Sequence, residues 1–319
     1  MAQDEKTGIL GISLIDDQLR IVESVRLSQN EFEVTQLAQG RIRQRFDFSV
    51  FTDKNMPRRF ADDITRLYKT QNFKEKKVAF SLDSRMVLVK KIAIDRSLEE
   101  ELIKGQVKWE VQQFSISPVN EYVIDYEPIH ANTNGPFNNM LVVVVRKKIV
   151  KFLKEVFKHT DLQLKVVDVD IFSAQRALQL NYDYNNSDKV CLINIEENKI
   201  HFSLLHGRSF FLTQEVSTLD NQDIDLNTQS ITRLISKELR RIILDHQLGK
   251  KIEDLNDIFL YGDAVEDELL EGLQNSYDVH IDRANPFRKI KLNAQIEDVI
   301  QSRSERYMVS VGAALRGMQ

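Results

Sequence analysis

The 319-residue sequence repeats one order of predicted elements in its two halves. In the first half, period-two alternation on either side of Asp16-Asp17 predicts a β-hairpin, which is followed by a third strand and then by alternating helices and strands. The second half starts again with a predicted hairpin at 189–205 and a third strand, and helices and strands follow. This repetition constrains the fold most, because it predicts two α/β units with a cleft between them.

The polar segment NYDYNNSD (181–188) is the predicted boundary, so the halves are 1–187 and 188–319. A β-α-β insertion at about 83–139 interrupts the first half. We expect Ser97 and Glu100 to form a capping box at the start of its helix.

The loop ANTNGPFNN (131–139) closes this insertion in the prediction. The next segment, MLVVVV (140–145), is apolar at every position, as in a strand that is covered on both faces. We therefore expect it to resume the main sheet.

Composition excludes several classes of function. The net charge of −4 gives no reason to expect a nucleic-acid partner. A lone cysteine, Cys191, and six histidines without a zinc-binding spacing give no support to a metal site. The longest apolar run, 140–145, is far shorter than the ~20 residues of a membrane span, and the start lacks a signal-peptide pattern. We therefore expect a cytoplasmic protein.

Some charged residues leave two interpretations open. Arg41, Arg43 and Arg45 alternate along an extended segment, which fits either a solvated strand face or a contact with anionic lipid or a partner. Asp168 and Asp170 end a predicted strand before a helix, where they fit either cleft carboxylates or helix caps.

Several stretches occur in the order found in one superfamily. They are LGISLIDDQLRIVES at the first hairpin, LKVVDVDIFSAQRAL before the boundary, and IFLYGDAVEDELLEGL in the second half. With them the sequence resembles the actin-like ATPase superfamily, and more closely the PilM family of type IV pilus assembly proteins, which is related to the cell-division protein FtsA. The resemblance implies a duplicated ribonuclease H-like fold, with a β-α-β subdomain inserted in its first half.

The resemblance also locates a nucleotide site. Ser13 takes the place of the metal-organising aspartate of the first hairpin, and Ile15 that of its phosphate-facing glycine. The other aligned positions are Asp16 in the first hairpin, Asn194 and Glu196 in the second, and Gly262 and Asp263 in the adenosine loop.

These residues predict a degenerate site. A magnesium–triphosphate site needs carboxylates for the metal and bare backbone amides for the phosphates, whereas Ser13 and Asn194 carry no charge. Ile15 is β-branched and resists a positive φ. Glu196 would repel phosphate by roughly 4 kcal/mol at ~4 Å and an effective dielectric near ~20.

We therefore expect no catalytic residues, no cofactor and no ATP hydrolysis. Glu196 and its neighbours Glu197 and Asn198 also fit a solvated turn. The alternative function is an active ATPase that binds ATP and Mg²⁺ with unusual residues.

The resemblance further implies a partner. In the PilM family, the insertion and the adjacent subdomain take a short cytoplasmic peptide of PilN, an inner-membrane protein. Candidate contacts here are Trp109, Ile103 and Val107, although Trp109 also fits beneath the strands of the insertion.

The implied function is a cytoplasmic scaffold of a pilus machinery, held at the inner membrane through a PilN-like partner and bound to other assembly components. A further alternative is the cytoplasmic domain of a type II secretion scaffold, which we would expect a membrane span to follow.

Overall fold

The structure is a computed structural model that describes residues 8–29, 31–129, 135–218, 227–293, 296–297, 300 and 303–319. The chain forms two compact units. Unit 1 comprises Met1–Arg176, Ile290–Glu297 and Val309–Gln319, and unit 2 comprises Ala177–Lys289 and Asp298–Met308. These units differ from the sequence halves 1–187 and 188–319, because 177–187 belongs to unit 2 whereas 290–297 and 309–319 belong to unit 1.

The first part of the chain alternates strands and helices. In chain order the elements are β1 (Gly8–Ile15), β2 (Gln18–Arg26), β3 (Phe32–Arg41), α1 (Met56–Thr70), β4 (Lys77–Leu82), β5 (Val87–Asp95), α2 (Glu100–Phe114), β6 (Tyr122–Pro128), β7 (Phe137–Arg146), α3 (Lys147–Lys158), β8 (Gln163–Val169) and α4 (Asp170–Asn181). Short 3₁₀ helices lie at Phe48–Thr52, Ser84–Met86 and Val119–Glu121.

The second part repeats this order. Its elements are β9 (Lys189–Ile195), β10 (Lys199–His206), β11 (Ser209–Ser217), α5 (Thr228–Asp245), β12 (Asp257–Tyr261), α6 (Asp267–Gln274), β13 (His280–Arg283), β14 (Lys291–Leu292) and α7 (Met308–Gly317). Short 3₁₀ helices lie at Ile252–Asp254 and Ser304–Tyr307.

The two main sheets confirm the predicted duplication. In unit 1 the strand order is β14-β3-β2-β1-β4-β8, and in unit 2 it is β11-β10-β9-β12-β13. Each sheet has an antiparallel meander of three strands, whose first strand in the chain then pairs in parallel with a later one, β1 with β4 and β9 with β12. The fold is therefore an α/β fold built twice on one plan.

Helices α1 and α3 cover one face of the unit 1 sheet. Phe60 and Ile64 of α1 and Phe152 and Val156 of α3 lie in one apolar cluster with the sheet residues. The ring of Phe46 is buried in this core, and its centroid lies 5.5 Å from that of Phe60. The 3.6-residue spacing of these apolar positions explains why the segments form helices on a sheet.

The inserted subdomain has one strand more than predicted. Its sheet has the order β5-β7-β6, with antiparallel pairing throughout, and α2 packs on one face. The interpretation of 140–145 as part of the main sheet is therefore wrong, because β7 is the middle strand of the insertion. The apolar residues of β7 lie on both faces of the insertion's sheet, as they would in the main sheet, so the pattern did not distinguish the two sheets.

Two local predictions in the insertion also need revision. Helix α2 begins at Glu100 and has no side-chain cap, because Ser97 instead donates its N–H and hydroxyl to the carboxylate of Asp95. The predicted loop 131–139 falls partly outside the described residues, and its last three residues belong to β7.

Gly11 on β1 allows α7 to pack directly on the sheet. A Cβ at this position would lie 1.9 Å from the carbonyl oxygen of Ser310 and 2.6 Å from the amide nitrogen of Ala314. Both are backbone atoms of α7, so the contact cannot be relieved by a rotamer change. Gly312 makes a similar approach to the backbone of Ser173 on α4.

Replacing Gly11 by alanine should therefore destabilise unit 1. We expect Gly11→Ala to lower the free energy of unfolding by about 2 kcal/mol or more, because a packed helix must move. The matched control is Gly105→Ala on α2, where a Cβ meets nothing within 4 Å. That change should stabilise the chain by roughly 0.5–1 kcal/mol through helix propensity. Urea denaturation measures both, and equal effects would contradict this account of Gly11.

Candidate functional site

The first hairpin ends in a turn held by an ion-pair network. Asp16 has a φ of 55°, and its carboxylate accepts hydrogen bonds from Arg45 Nη2 at 2.8 Å and Arg85 Nη2 at 2.7 Å. Arg85 also binds the buried carboxylate of Asp83. Burial lowers the pKa of Arg85, but its hydrogen bonds and charge attraction to Asp83 and Asp16 outweigh burial and raise the pKa above its ordinary value. Asp16 is therefore engaged by two permanent cations.

Ser13 and Ile15 are buried in β1, where they pair with Arg20 and Gln18 of β2. Ile15 has strand geometry, and the left-handed residue of the turn is Asp16. Ile15 does not adopt a positive φ, which agrees with the expectation that a β-branched side chain resists that conformation. Its side chain is buried at the end of the strand.

The acidic residues at the end of β8 have local roles in unit 1. Asp168 accepts hydrogen bonds from Ser173 Oγ at 2.8 Å and Arg176 Nη1 at 2.6 Å. Asp170 accepts the N–H of Ser84 at 3.0 Å and so ties the start of α4 to the turn after β4. These hydrogen bonds use both carboxylates to hold α4 in unit 1, and the N–H of Ile171 in α4 donates to Asp170 as expected for a helix cap.

The arginines after β3 are likewise paired. Arg43 donates from its backbone N–H and its Nε to the buried carboxylate of Asp63, each at 3.0 Å. Arg41 lies 3.8 Å from Asp17. These arginines therefore attach the extended segment to α1 and the hairpin, a role beyond that of a solvated strand face.

The second hairpin brings the predicted unit 2 residues together. Glu196 is 6% exposed, and its Oε1 accepts a hydrogen bond from Asn194 Nδ2 at 2.9 Å. Its Oε2 accepts the backbone N–H of Asp263 at 3.3 Å. The interpretation of Glu196 as part of a solvated turn was therefore wrong, whereas Glu197 beside it is exposed.

Gly262 is required where the loop after β12 meets this hairpin. Its φ is +114°, and a Cβ would lie 2.4 Å from the carbonyl oxygen of Ile195 and 2.9 Å from Glu196 Oε1. The N–H of Ala264 donates to that same carbonyl at 3.1 Å. The loop is thus fastened to the hairpin, with the Glu196 carboxylate against it.

A group of charged residues that sequence reasoning missed surrounds this loop in unit 2. Arg303 donates to the carbonyl oxygen of Asp263 at 3.0 Å and to the buried Glu305 at 2.9 Å. Arg306 lies 3.5 Å from the carboxylate of Asp263. The signal in the sequence is RSERY (303–307), an alternation of charges directly before the last helix.

Magnesium–ATP does not fit these residues. In unit 1, two arginines neutralise the charge of Asp16. In unit 2, the backbone N–H of Asp263, which a phosphate would need, already donates to the carboxylate of Glu196. No group of three or more histidine, cysteine, aspartate or glutamate side chains that could hold a metal ion occurs in the described ranges. Each hairpin uses its carboxylate for bonds within its own unit.

The predicted partner residues divide between core and surface. Val107 is buried against the sheet and Ile103 packs on the same cluster, so neither side chain is accessible to a partner. Trp109 is 60% exposed on the side of α2 that faces away from the sheet, which rules out packing beneath the strands. Leu102, one heptad earlier, is exposed on the same side.

The other face of the subdomain sheet is apolar and only half-buried. Strand register places Val87, Val145 and Val123 in one row and Val89, Val143 and Asp125 in the next. We call these six residues the open face. It adjoins the main core of unit 1, because Val145 packs against the same cluster as Phe51.

The two sheets of the same plan, each with a hairpin formed by its first two strands in chain order, define a duplicated fold of the actin-like ATPase class. A family model described as type IV pilus assembly protein PilM matches residues 11–220. The chain therefore belongs to the PilM family.

Solved structures agree with this assignment at the level of the fold. A structure of the PilM–PilN type IV pilus biogenesis complex is 18% identical, covers 98% of this chain and 99% of its own, and has a TM-score of 0.80. The cytoplasmic domain of EpsL, an inner-membrane component of the type II secretion system of Vibrio cholerae, is 9% identical, covers 97% and 95%, and has a TM-score of 0.50.

An inorganic polyphosphate/ATP-glucomannokinase from Arthrobacter sp. strain KM shares the fold at 10% identity, with 98% of each chain covered and a TM-score of 0.52. In the part of this chain that the structure describes, no helix is long and apolar enough to span a membrane.

The network around Asp16 predicts a charge-specific loss of stability. Asp16→Asn keeps a residue that tolerates positive φ but removes the charge between two guanidinium groups. We expect it to lower the free energy of unfolding by about 2 kcal/mol. Asp17→Asn, at the more exposed neighbour, should change it by less than ~0.5 kcal/mol. Urea denaturation compares the two, and similar losses would show that the Asp16 network does not hold the turn.

Proposed function

We propose that the chain is a cytoplasmic scaffold of a type IV pilus assembly machinery that binds the N-terminal cytoplasmic peptide of a PilN-like inner-membrane protein. Membership of the PilM family supports the pilus assembly role. The likeness to the PilM–PilN complex supports a PilN-like partner, and through that partner a peripheral place at the inner membrane.

The observation that carries the partner proposal is the open face. A strand face of half-buried valines next to the core of unit 1 suits an extended peptide with small apolar side chains. Asp125 within the open face, and Glu127 and Lys91 in the row beside it, would fix the direction of a charged peptide.

Trp109 lies on the opposite side of the subdomain from the open face, because α2 packs on the other face of the sheet. A short peptide cannot contact both sides at once. We therefore assign the open face to the PilN-like peptide, and the side with Trp109 and Leu102 to another component of the assembly machinery.

We also propose that the chain does not hydrolyse ATP. The argument is the carboxylate of Glu196, which takes the backbone N–H of Asp263 and carries charge of the same sign as a phosphate. The uncharged Ser13 and the neutralised Asp16 add no metal ligand on the first hairpin. An unusual active site would have to displace these internal bonds.

Calorimetry with two variants tests the partner proposal. The probe is a synthetic peptide with the N-terminal cytoplasmic sequence of a PilN-like protein. Val123→Glu adds a charge to an exposed position of the open face and should weaken binding at least roughly tenfold, since an apolar contact becomes a desolvated charge. Trp109→Ala, on the side of α2 that faces away from the sheet, should leave the affinity for the peptide within about twofold of the wild-type value.

The reverse pattern would move the peptide site to the outer side of α2. No binding by the folded wild-type protein would contradict the proposed function itself. Circular dichroism of each variant establishes that the chain is folded, so a loss of affinity is not mistaken for unfolding.

A further inference from the structure

The solvent-facing sides of α1 and α3 form a continuous surface of unit 1. The two helices lie next to each other, and both pack on the same side of the sheet through residues such as Ile64 and Leu153. Their remaining sides therefore point away from the sheet together. We call this surface the basic face, for the residues described next.

Helix α3 presents a row of lysines on this surface. Lys147, Lys151, Lys154 and Lys158 are exposed and recur at i, i+4, i+7 and i+11, which puts them within an arc of about 60° at 3.6 residues per turn. Lys158 lies 3.5 Å from Glu155. Among the described residues, no carboxylate pairs with the other three lysines. Four positive charges at this spacing repel one another and indicate an anionic partner.

Helix α1 contributes further basic residues beside the lysines of α3. The charged residues of both helices are the cations Arg58, Arg59, Arg66, Lys69, Lys147, Lys148, Lys151, Lys154 and Lys158 and the anions Asp62, Asp63 and Glu155, of which Asp63 is buried and lies 3.1 Å from Arg66. The two helices therefore have a net charge of +6, whereas the whole chain has −4 and the remainder has −10. Such a separation orients the molecule in the field of a negatively charged surface.

An exposed aromatic side chain borders the lysines. Phe48 is 49% exposed and contacts Phe51 edge-on, at 6.2 Å between ring centroids. The amino group of Lys148 lies 5.6 Å from the centre of the Phe51 ring. Lysines next to an exposed phenyl ring match the chemistry of a bilayer surface, where headgroups carry the charge and an apolar layer lies beneath them.

We propose that the basic face binds the surface of an anionic phospholipid bilayer directly, with the lysines of α3 at the headgroups and Phe48 inserted between them. A duplex nucleic acid offers phosphates but no apolar layer for Phe48, so the bilayer fits both observations. This contact needs no peptide partner and stands apart from the proposed function. It would hold unit 1 flat on the membrane.

Sedimentation with vesicles tests this proposal on the full chain without any partner peptide. The probes are vesicles of phosphatidylcholine alone and vesicles in which about a third of the lipid is phosphatidylglycerol, at low and at physiological salt. We expect binding to the anionic vesicles only, weakened by salt. Each basic residue near a bilayer contributes roughly fivefold to the partition coefficient, so Lys147→Gln, Lys151→Gln, Lys154→Gln combined should lower it by about 100-fold.

The matched control removes three exposed cations from unit 2, with Arg233→Gln, Lys237→Gln and Lys250→Gln combined. It changes the net charge equally and should alter the partition coefficient by less than about twofold. Phe48→Ser should lower the partition coefficient severalfold without changing the salt dependence.

Three results would overturn the proposal. They are failure to bind anionic vesicles at low salt, equal losses in the α3 variant and its control, and tighter binding to a DNA duplex than to the vesicles. Thermal denaturation of each variant confirms that the exposed substitutions leave the fold intact.

Discussion

The second hairpin depends on one carboxylate that is held by the chain itself. Glu196 receives hydrogen bonds from the Asn194 side chain and from the backbone of Asp263, and Gly262 leaves just enough room for it. In unit 1 the turn of the first hairpin also has a carboxylate, that of Asp16, and two arginines pair with it. In both hairpins the polar groups at the end of the strand are engaged by other groups of the same unit.

Bonds of this kind would suit an actin-like fold to a purpose other than nucleotide chemistry, as we propose for this chain. Helix α7 packs directly on the sheet at Gly11, and the insertion is built on the strand that leads into α3. The three surfaces we assign to partners lie in unit 1: the open face for a peptide, the side of α2 with Trp109 for another component, and the basic face for lipid. The open face and the basic face both adjoin the main core of unit 1, because Val145 and Phe51 pack against the same cluster and Lys148 lies over the Phe51 ring.

The sequence predicted the order of elements well, because apolar periodicity follows local geometry. It failed where two environments share one pattern. The valines of β7 are apolar on both faces, and only the pairing with β5 and β6 shows which sheet they belong to. In the sequence Ser97 can bond with either Asp95 or Glu100, and in the structure its N–H and hydroxyl both donate to the carboxylate of Asp95. Glu196 looks identical to its exposed neighbour Glu197 in sequence, and only the loop at Gly262 reveals that it turns inward. The basic face could not be predicted from local patterns, because it combines two helices that are about 80 residues apart in the chain.

The most direct measurement for the central claim is a calorimetric titration of the purified, folded chain with magnesium–ATP. Because the Asp263 amide is occupied by Glu196 and Asp16 is neutralised, the account predicts no saturable heat, which corresponds to a dissociation constant weaker than about 1 mM. Saturable binding of one nucleotide with a dissociation constant near ~10 µM would contradict it, since the internal carboxylate would then yield to phosphate.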